Sequence, residues 1–366
     1  MQSSQGKIGI FPIFSVMILA IGLMNHVLVI PPLLYLAKRD AWFTVLCSIA
    51  PYLIWGTLLY WIMKKTKQES IVLWLKRNYG KSVSWAFRIF FIFYTQLIGV
   101  TTTVETTFWT KISYLPKTPK LVVASSLIIV CVLAAKNGIR GIAIASGILL
   151  PFVVVFGDFV MSSNLPQKDY SLLFPLMEHG IQPILAGAVY LGGGLVEFIV
   201  ILLLQHQMKS KIRLWQVYSI AMFLILLVFG PVTGAIAEFG PYEASVLRFP
   251  AFEEWRLVKI GRYITHVDFL SIYQWLSGAV IRISLAAYLF SEMFQAAGEK
   301  AKSWLIYGFG AFCIIITMLP FGDMQYLTFM RNLYFPGVFF GVLLLSFVLF
   351  VLVLFAKKDG GIPNET

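Results

Sequence analysis

Six ionisable side chains lie within long apolar runs of this 366-residue chain: Glu105, Asp158, Glu197, Asp268, Arg282 and Glu292. A charge in hydrocarbon is costly, so each should face a bundle interior or a water path and pair where it can. Arg282 is the base among them, and Glu197 or Glu105 can neutralise it. Such a pair can serve a polar pathway or proton relay, or it can be a structural ion pair; the residues leave both open. Asp268 and Glu292 fall near run ends and can simply reach the interface.

Two glycine-bearing stretches suggest a second kind of chemistry. One reads Gly22-Leu23-Met24-Asn25, the other Tyr190-Leu191-Gly192-Gly193-Gly194, one turn before Glu197. Helix breaks in equivalent spans of two halves point to a small-molecule site in transporter-like folds, because freed main-chain groups survive in a membrane only around a cavity. Asn25 would cap a helix restarting beyond the first break, with its N–H groups facing a carboxylate. Three successive glycines raise the cost of helix by about 1 kcal/mol each relative to alanine. The alternative is close helix packing, with Asn25 bonded to a neighbouring helix. Tyr94 and Ile98 share one helical face with Thr101 and Thr102 beyond them, and Tyr273, Ser277 and Ile281 stack at the same spacing; both rows are equally compatible with interhelical packing.

The elements that would position these residues are membrane spans. The chain is 59% apolar and 13% charged, against about a quarter charged in soluble domains. Apolar runs of membrane length recur at 10–36, 41–63, 84–110, 120–136, 140–161, 182–206, 213–236, 264–293, 302–320 and 333–356. The first is too long for a signal-peptide core and is expected to be retained. Five spans per half make the second half enter from the opposite side, so related halves (10–161 and 182–356) would form an inverted repeat within one integral membrane domain. Basic residues at the N-terminus, in even-numbered loops and at Lys357 and Lys358 outnumber those in odd-numbered loops, where acids match most of them, including Arg262. The positive-inside rule therefore predicts cytoplasmic termini. Residues 68–82 read as an interfacial helix. Residues 237–263 read as short helical pieces divided by Pro241 and Pro250.

The net charge of +12 sits in loops and does not imply nucleic acid. Cys47, Cys131 and Cys313 lie in apolar runs and read as inert thiols. The four histidines have no metal-ligand spacing, and no phosphate loop, nucleophile elbow or catalytic carboxylate pair is present, so neither metal, cofactor nor enzyme chemistry is expected.

The segment Phe239-Gly240-Pro241-Tyr242-Glu243, Leu247-Arg248-Phe249-Pro250, Trp255-Arg256-Leu257-Val258-Lys259-Ile260-Gly261 and Val267-Asp268-Phe269-Leu270-Ser271-Ile272-Tyr273-Gln274-Trp275 resembles the spore germination permease family, the B subunits of endospore germinant receptors. The ten-span layout, Leu73-Trp74-Leu75-Lys76 and the run from Ile21-Gly22 to Pro31 fit as well. The sequence departs from the family at Met24, where a glycine is common, and at Thr265-His266, where an acidic-basic pair is common. The resemblance implies an all-α membrane protein of the amino acid/polyamine/organocation type, a LeuT-like arrangement of inverted five-helix repeats with helices 1 and 6 broken. It also implies a nutrient-sensing role beside A and C subunits in the spore inner membrane, surrounded by membrane lipid. A small apolar amino acid suits Met24, Ile98 and Leu191. A proton-coupled amino-acid permease using the same pocket is the rival reading.

Overall fold

Apolar helices crossing a membrane must satisfy every backbone group internally, and this chain does so with helices throughout. The computed structural model describes residues 7–261, 266–295 and 298–356. Arg262, Thr265, Lys357, Lys358 and the start of the expected eighth span lie outside the described residues.

Among the described residues eight stretches are long and apolar enough to cross a membrane; the first, Ile10–Lys65, has 56 residues. It holds two crossings, because the 3-10 turn Lys38–Asp40 separates span 1 from span 2, Ala41–Lys65. Lys120–Lys136, with 17 residues, supplies the tenth. Span 3 is the outer part of Ile71–Ser113, and Gly138–Ser163 is span 5. Span 6 begins at Ile181, and span 7 is Leu214–Val246. Spans 8 to 10 are Leu270–Met293, Glu299–Met318 and the run Asp323–Phe355.

Loop pairing confirms the alternation. Odd-numbered loops bond to one another: Asp40 accepts from Met177 N at 2.7 Å, Asn164 donates to Glu254 O at 2.7 Å, and Arg248 pairs with Asp323. Even-numbered loops do likewise, as Gln205 donates to Glu69 O at 2.6 Å, and on the same side Lys136 at the end of span 4 donates to Tyr307 Oη of span 9 at 2.6 Å. The N-terminal strand residue Ile8 donates to Gln207 O, and Tyr79 donates to Leu352 O near the end of span 10. Both ends of the described chain thus share one face. The opposite face carries residues 237–261 and is the outer one in the orientation that the charge bias predicts.

The expected interfacial helix is present, but it is more than a surface element. Ile71, Trp74 and Leu75 are buried while Lys76 and Arg77 face out, and Gly80, at φ 84°, turns the chain into span 3. Only glycine reaches that φ without strain. On the outer face the helix of span 7 overshoots its expected end. It kinks at Gly240, φ 80°, and resumes at Pro241 as far as Val246. Pro250 opens the short helix Pro250–Leu257, a position where its missing N–H costs nothing.

The interruptions of spans 1 and 6 differ from the expected unwound turns. Span 1 runs as α-helix from Ile10 to Leu23, passes through a π turn at Met24–Leu28 and resumes at Ile30–Ala37. Val29 N donates to Met24 O at 3.0 Å, so the backbone bond is widened rather than lost. Pro31 and Pro32 remove the donors that Val27 and Leu28 carbonyls would use in a regular helix. Span 10 has the same device, a π turn at Met330–Tyr334 ahead of Pro336. Span 6 stays α-helical through Gly192–Gly194 and tightens only afterwards, into a 3-10 turn at Val196–Val200.

Candidate ligand site at the crossing of spans 1, 3, 6 and 8

The tightened turn of span 6 delivers Glu197 to the middle of the bundle, facing Arg282 of span 8. Both side chains are sealed from solvent, 2% and 1% exposed. Arg282 Nη1 and Nη2 donate to the two carboxylate oxygens of Glu197. Its Nε donates to Thr102 Oγ1 at 2.8 Å, and Nη1 also donates to Ala20 O at 3.1 Å. Tyr334 Oη of span 10 donates to Glu197 at 3.3 Å. Thr102 is free to accept because its own hydroxyl proton goes to Ile98 O at 2.7 Å. Five spans thus contribute to one ion pair, which is how a buried charge becomes tolerable.

A cavity of about 20 Å³ adjoins this pair on the side of the termini, walled by Met17, Ala20 and Ile21, by Thr95 and Ile98, by Glu197 and Val200, and by Arg282 and its span 8 neighbours. That is room for roughly one water. Tyr94, one turn before Ile98, feels the charges of Glu197 and Arg282. Its hydroxyl is buried and has no hydrogen-bond partner among the described residues.

The structure therefore brings Ile98, Glu197 and Arg282 together where four spans cross, while Tyr94, packed on the Phe90 and Phe91 rings, is not among the cavity walls. Ile281 and Ser277 are buried on span 8 but do not wall the cavity. The glycines belong to packing. A Cβ on Gly193 would stand 2.7 Å from Phe335 O, one on Gly192 would strike the Phe339 ring, and Tyr190 meets Phe335 edge-on at 5.9 Å. Leu191 is fully buried in the core. These residues join span 6 to span 10, so the expected main-chain site at Gly192–Gly194 is corrected to a helix contact.

In span 1, Gly22 lets Leu227 approach to 2.9 Å of a would-be Cβ, and Leu23 packs on Gly278. Met24 is fully buried. Asn25 caps nothing: its Nδ2 donates back to Ile21 O at 3.0 Å, within the π turn. Its Oδ1 has no partner and sits 2.5 Å from where a Cβ on Gly194 would be.

Of the two carboxylates offered to Arg282, Glu197 takes it and Glu105 does not. Glu105 pairs with Arg248 rather than Arg282, Nη1 to Oε1 at 2.8 Å and Nη2 to Oε2 at 2.9 Å. The same guanidinium reaches Asp323 at the start of span 10, with Nε 3.1 Å from Oδ2. Its carbon lies 4.4 Å from the Phe249 ring centre. This second lock stands one turn outward of Thr102 along span 3, a rise of about 4.5 Å. Tyr334, Asp323 and the partnership of Arg248 were missed from sequence. A buried Glu105 needs a cation, but the partner lies 143 positions away. Of the other ionisable residues, Asp268 accepts weakly from Tyr114 Oη at 3.4 Å, and Glu292 takes Lys302 at 2.7 Å. No group of three potential metal ligands occurs among the described residues.

The model of the spore germination protein family matches residues 8–325. This chain belongs to that family. It is 40% identical to spore germination protein XB of Bacillus anthracis over 352 residues, 96% of this chain and 99% of that one. Spore germination protein KB of Bacillus subtilis is 23% identical over 330 residues, 86% and 85% of the two chains. Among solved structures, MhsT in complex with L-phenylalanine superposes with a TM-score of 0.63 at 12% identity, covering 96% of this chain and 97% of that one. The fold is thus the LeuT-like fold of helical permeases, and the family and fold are those of permeases and receptors.

Proposed function

We propose that this family member is the nutrient-sensing B subunit of a spore germinant receptor, and that an amino acid binds where Glu197 meets Arg282. What carries the reading is the pair itself, together with the unpartnered Tyr94 hydroxyl one turn before Ile98 on span 3. An amino acid bears the same two charges, so its carboxylate can take over Arg282 and its ammonium Glu197. Exchange of partners avoids the several kcal/mol that an unpaired buried charge would cost. Met17, Ile21, Ile98 and Val200 wall the adjoining cavity and favour a small apolar side chain.

Ligand binding shifts a two-state protein only through its different affinity for the two states. Here the closed state holds about one water's volume, so a ligand-holding state must separate spans 1, 3, 6 and 8. Partner A and C subunits would read that separation in the spore inner membrane, with both termini cytoplasmic. Span 2 packs on spans 6 and 7, and span 8 on spans 3, 4 and 5, so each group that could move draws on both halves 10–161 and 182–356.

Tyr94→Phe gives the cleanest test. The hydroxyl bonds to nothing in the closed state, so its loss should leave protein level and thermal stability unchanged. The amino-acid dose-response of germinating spores should shift to higher concentration by about tenfold, the worth of one hydrogen bond. An unshifted curve removes the site. Concentrative amino-acid uptake by the purified protein in liposomes, with normal germination of spores lacking the gene, would favour the proton-coupled permease instead.

A further inference from the structure

A second cavity lies away from the centre. On the outer face a hollow of about 720 Å³ opens between the end of span 3, the end of span 7, the helix Pro250–Leu257 and the residues entering span 8. Small-molecule sites typically enclose about 300–1,000 Å³ and combine an apolar lining with a few convergent polar groups. Phe239, Phe249 and Phe252 line this hollow, the last two largely buried. Arg256, Asp268 and Glu253 supply the charges.

We propose that this hollow binds a zwitterionic solute with an aromatic or bulky apolar side chain, with an aromatic amino acid as the simplest member of the class. The proposal deepens the sensing role and rests on it for biological consequence, though not for binding. Arg256 is 60% exposed on its side chain and is held only by Glu253, three residues away, at 2.9 Å. An exposed pair of this kind is worth little, so a solute carboxylate exchanges into it readily and gains bidentate geometry. Among the described residues Asp268 has only the weak Tyr114 contact on its carboxylate, which leaves it open to an ammonium group. The phenyl rings accept the side chain and attract the ammonium through their faces. A plain anion would face two carboxylates, and a plain cation would leave Arg256 unanswered.

Occupation would be felt below. Phe249 is both a wall of the hollow and the ring against which Arg248 rests, while Phe252 meets Trp109 edge-on at 5.6 Å. A solute pressing on Phe249 therefore acts on the residue adjoining the Glu105–Arg248–Asp323 lock.

The test uses the full chain in lipid nanodiscs and equilibrium dialysis with labelled L-phenylalanine. Saturable binding is expected, with 3-phenylpropionate and phenethylamine each competing about tenfold less well, one charge contact apiece. Arg256→Gln should weaken L-phenylalanine binding about fivefold to tenfold and erase the preference over phenethylamine. Asp268→Asn should erase the preference over 3-phenylpropionate; if that variant fails to fold, Arg256→Gln alone decides. Absence of saturable binding, equal competition by the single-charge analogues, or unchanged binding in Arg256→Gln overturns the proposal. Normal nutrient response in spores lacking the gene would refute the sensing role and leave this binding result standing. Unchanged Arg256→Gln binding alongside a shifted Tyr94→Phe dose-response would do the reverse.

Discussion

Arg282 and Arg248 each grip a carboxylate buried in the bundle, but their surroundings differ. Arg282 is 1% exposed and spends its donors on Glu197, Thr102 and the Ala20 carbonyl. Arg248 is 21% exposed, holds Glu105 and Asp323, and hangs from a connecting segment rather than a span. The first lock joins spans that cross at mid-depth, and the second ties a cover to the rim. Depth makes the first costly to break, while the second can be opened at lower cost because water reaches it.

Three experiments sharpen that contrast. Arg282→Met leaves Glu197 stranded among apolar side chains and should cost about 3–5 kcal/mol. Loss of monodisperse protein on heating in detergent would register it. Pairing the change with Glu197→Met should recover most of the loss. A single variant as stable as wild type would mean that the pair is not sealed. Arg248→Gln should cost less, about 1.5–3 kcal/mol for its charged hydrogen bonds. Its signature should be faster proteolysis within 237–261, and equal destabilisation by both arginine changes would erase the distinction drawn here.

The smallest effect concerns Glu254 on the outer helix. Its carboxyl is held well above the ordinary value of 4.5 by burial first and by the charge of Glu238 next, with Lys168 opposing. The folded chain therefore keeps a proton that the unfolded chain releases above about that value, and stability falls as pH rises from there. The melting temperature should drop between pH 5 and pH 8 by about 2–4 °C more in wild type than in Glu254→Gln. Parallel pH profiles would refute the assignment.

Much of the architecture was legible because membrane length and hydropathy are properties of single segments. The ten spans and the alternating loops follow from that reading, the phrase around Arg248 and Trp255 pointed to the family, and a meeting of spans 1, 3, 6 and 8 was what a fold of that type implies. The helix interruptions were misplaced for a physical reason. Glycine's intrinsic cost argued for a break at Gly192–Gly194, but the same missing side chains let Phe335 and Phe339 of span 10 lie against span 6. Tertiary contact outweighed propensity. The readable signal was proline: Pro31 and Pro32 follow one π turn and Pro336 the other. Arg248 with Glu105 was out of reach, since a pairing between distant segments leaves no mark on either run alone.

The one-water cavity beside Glu197 has a consequence for a membrane that must hold its gradients while idle. A proton or ion needs a continuous file of water or exchangeable polar groups to leak across, and here apolar neighbours interrupt the file after a single molecule. A closed form with no more room than this would hold its gradients while standing by.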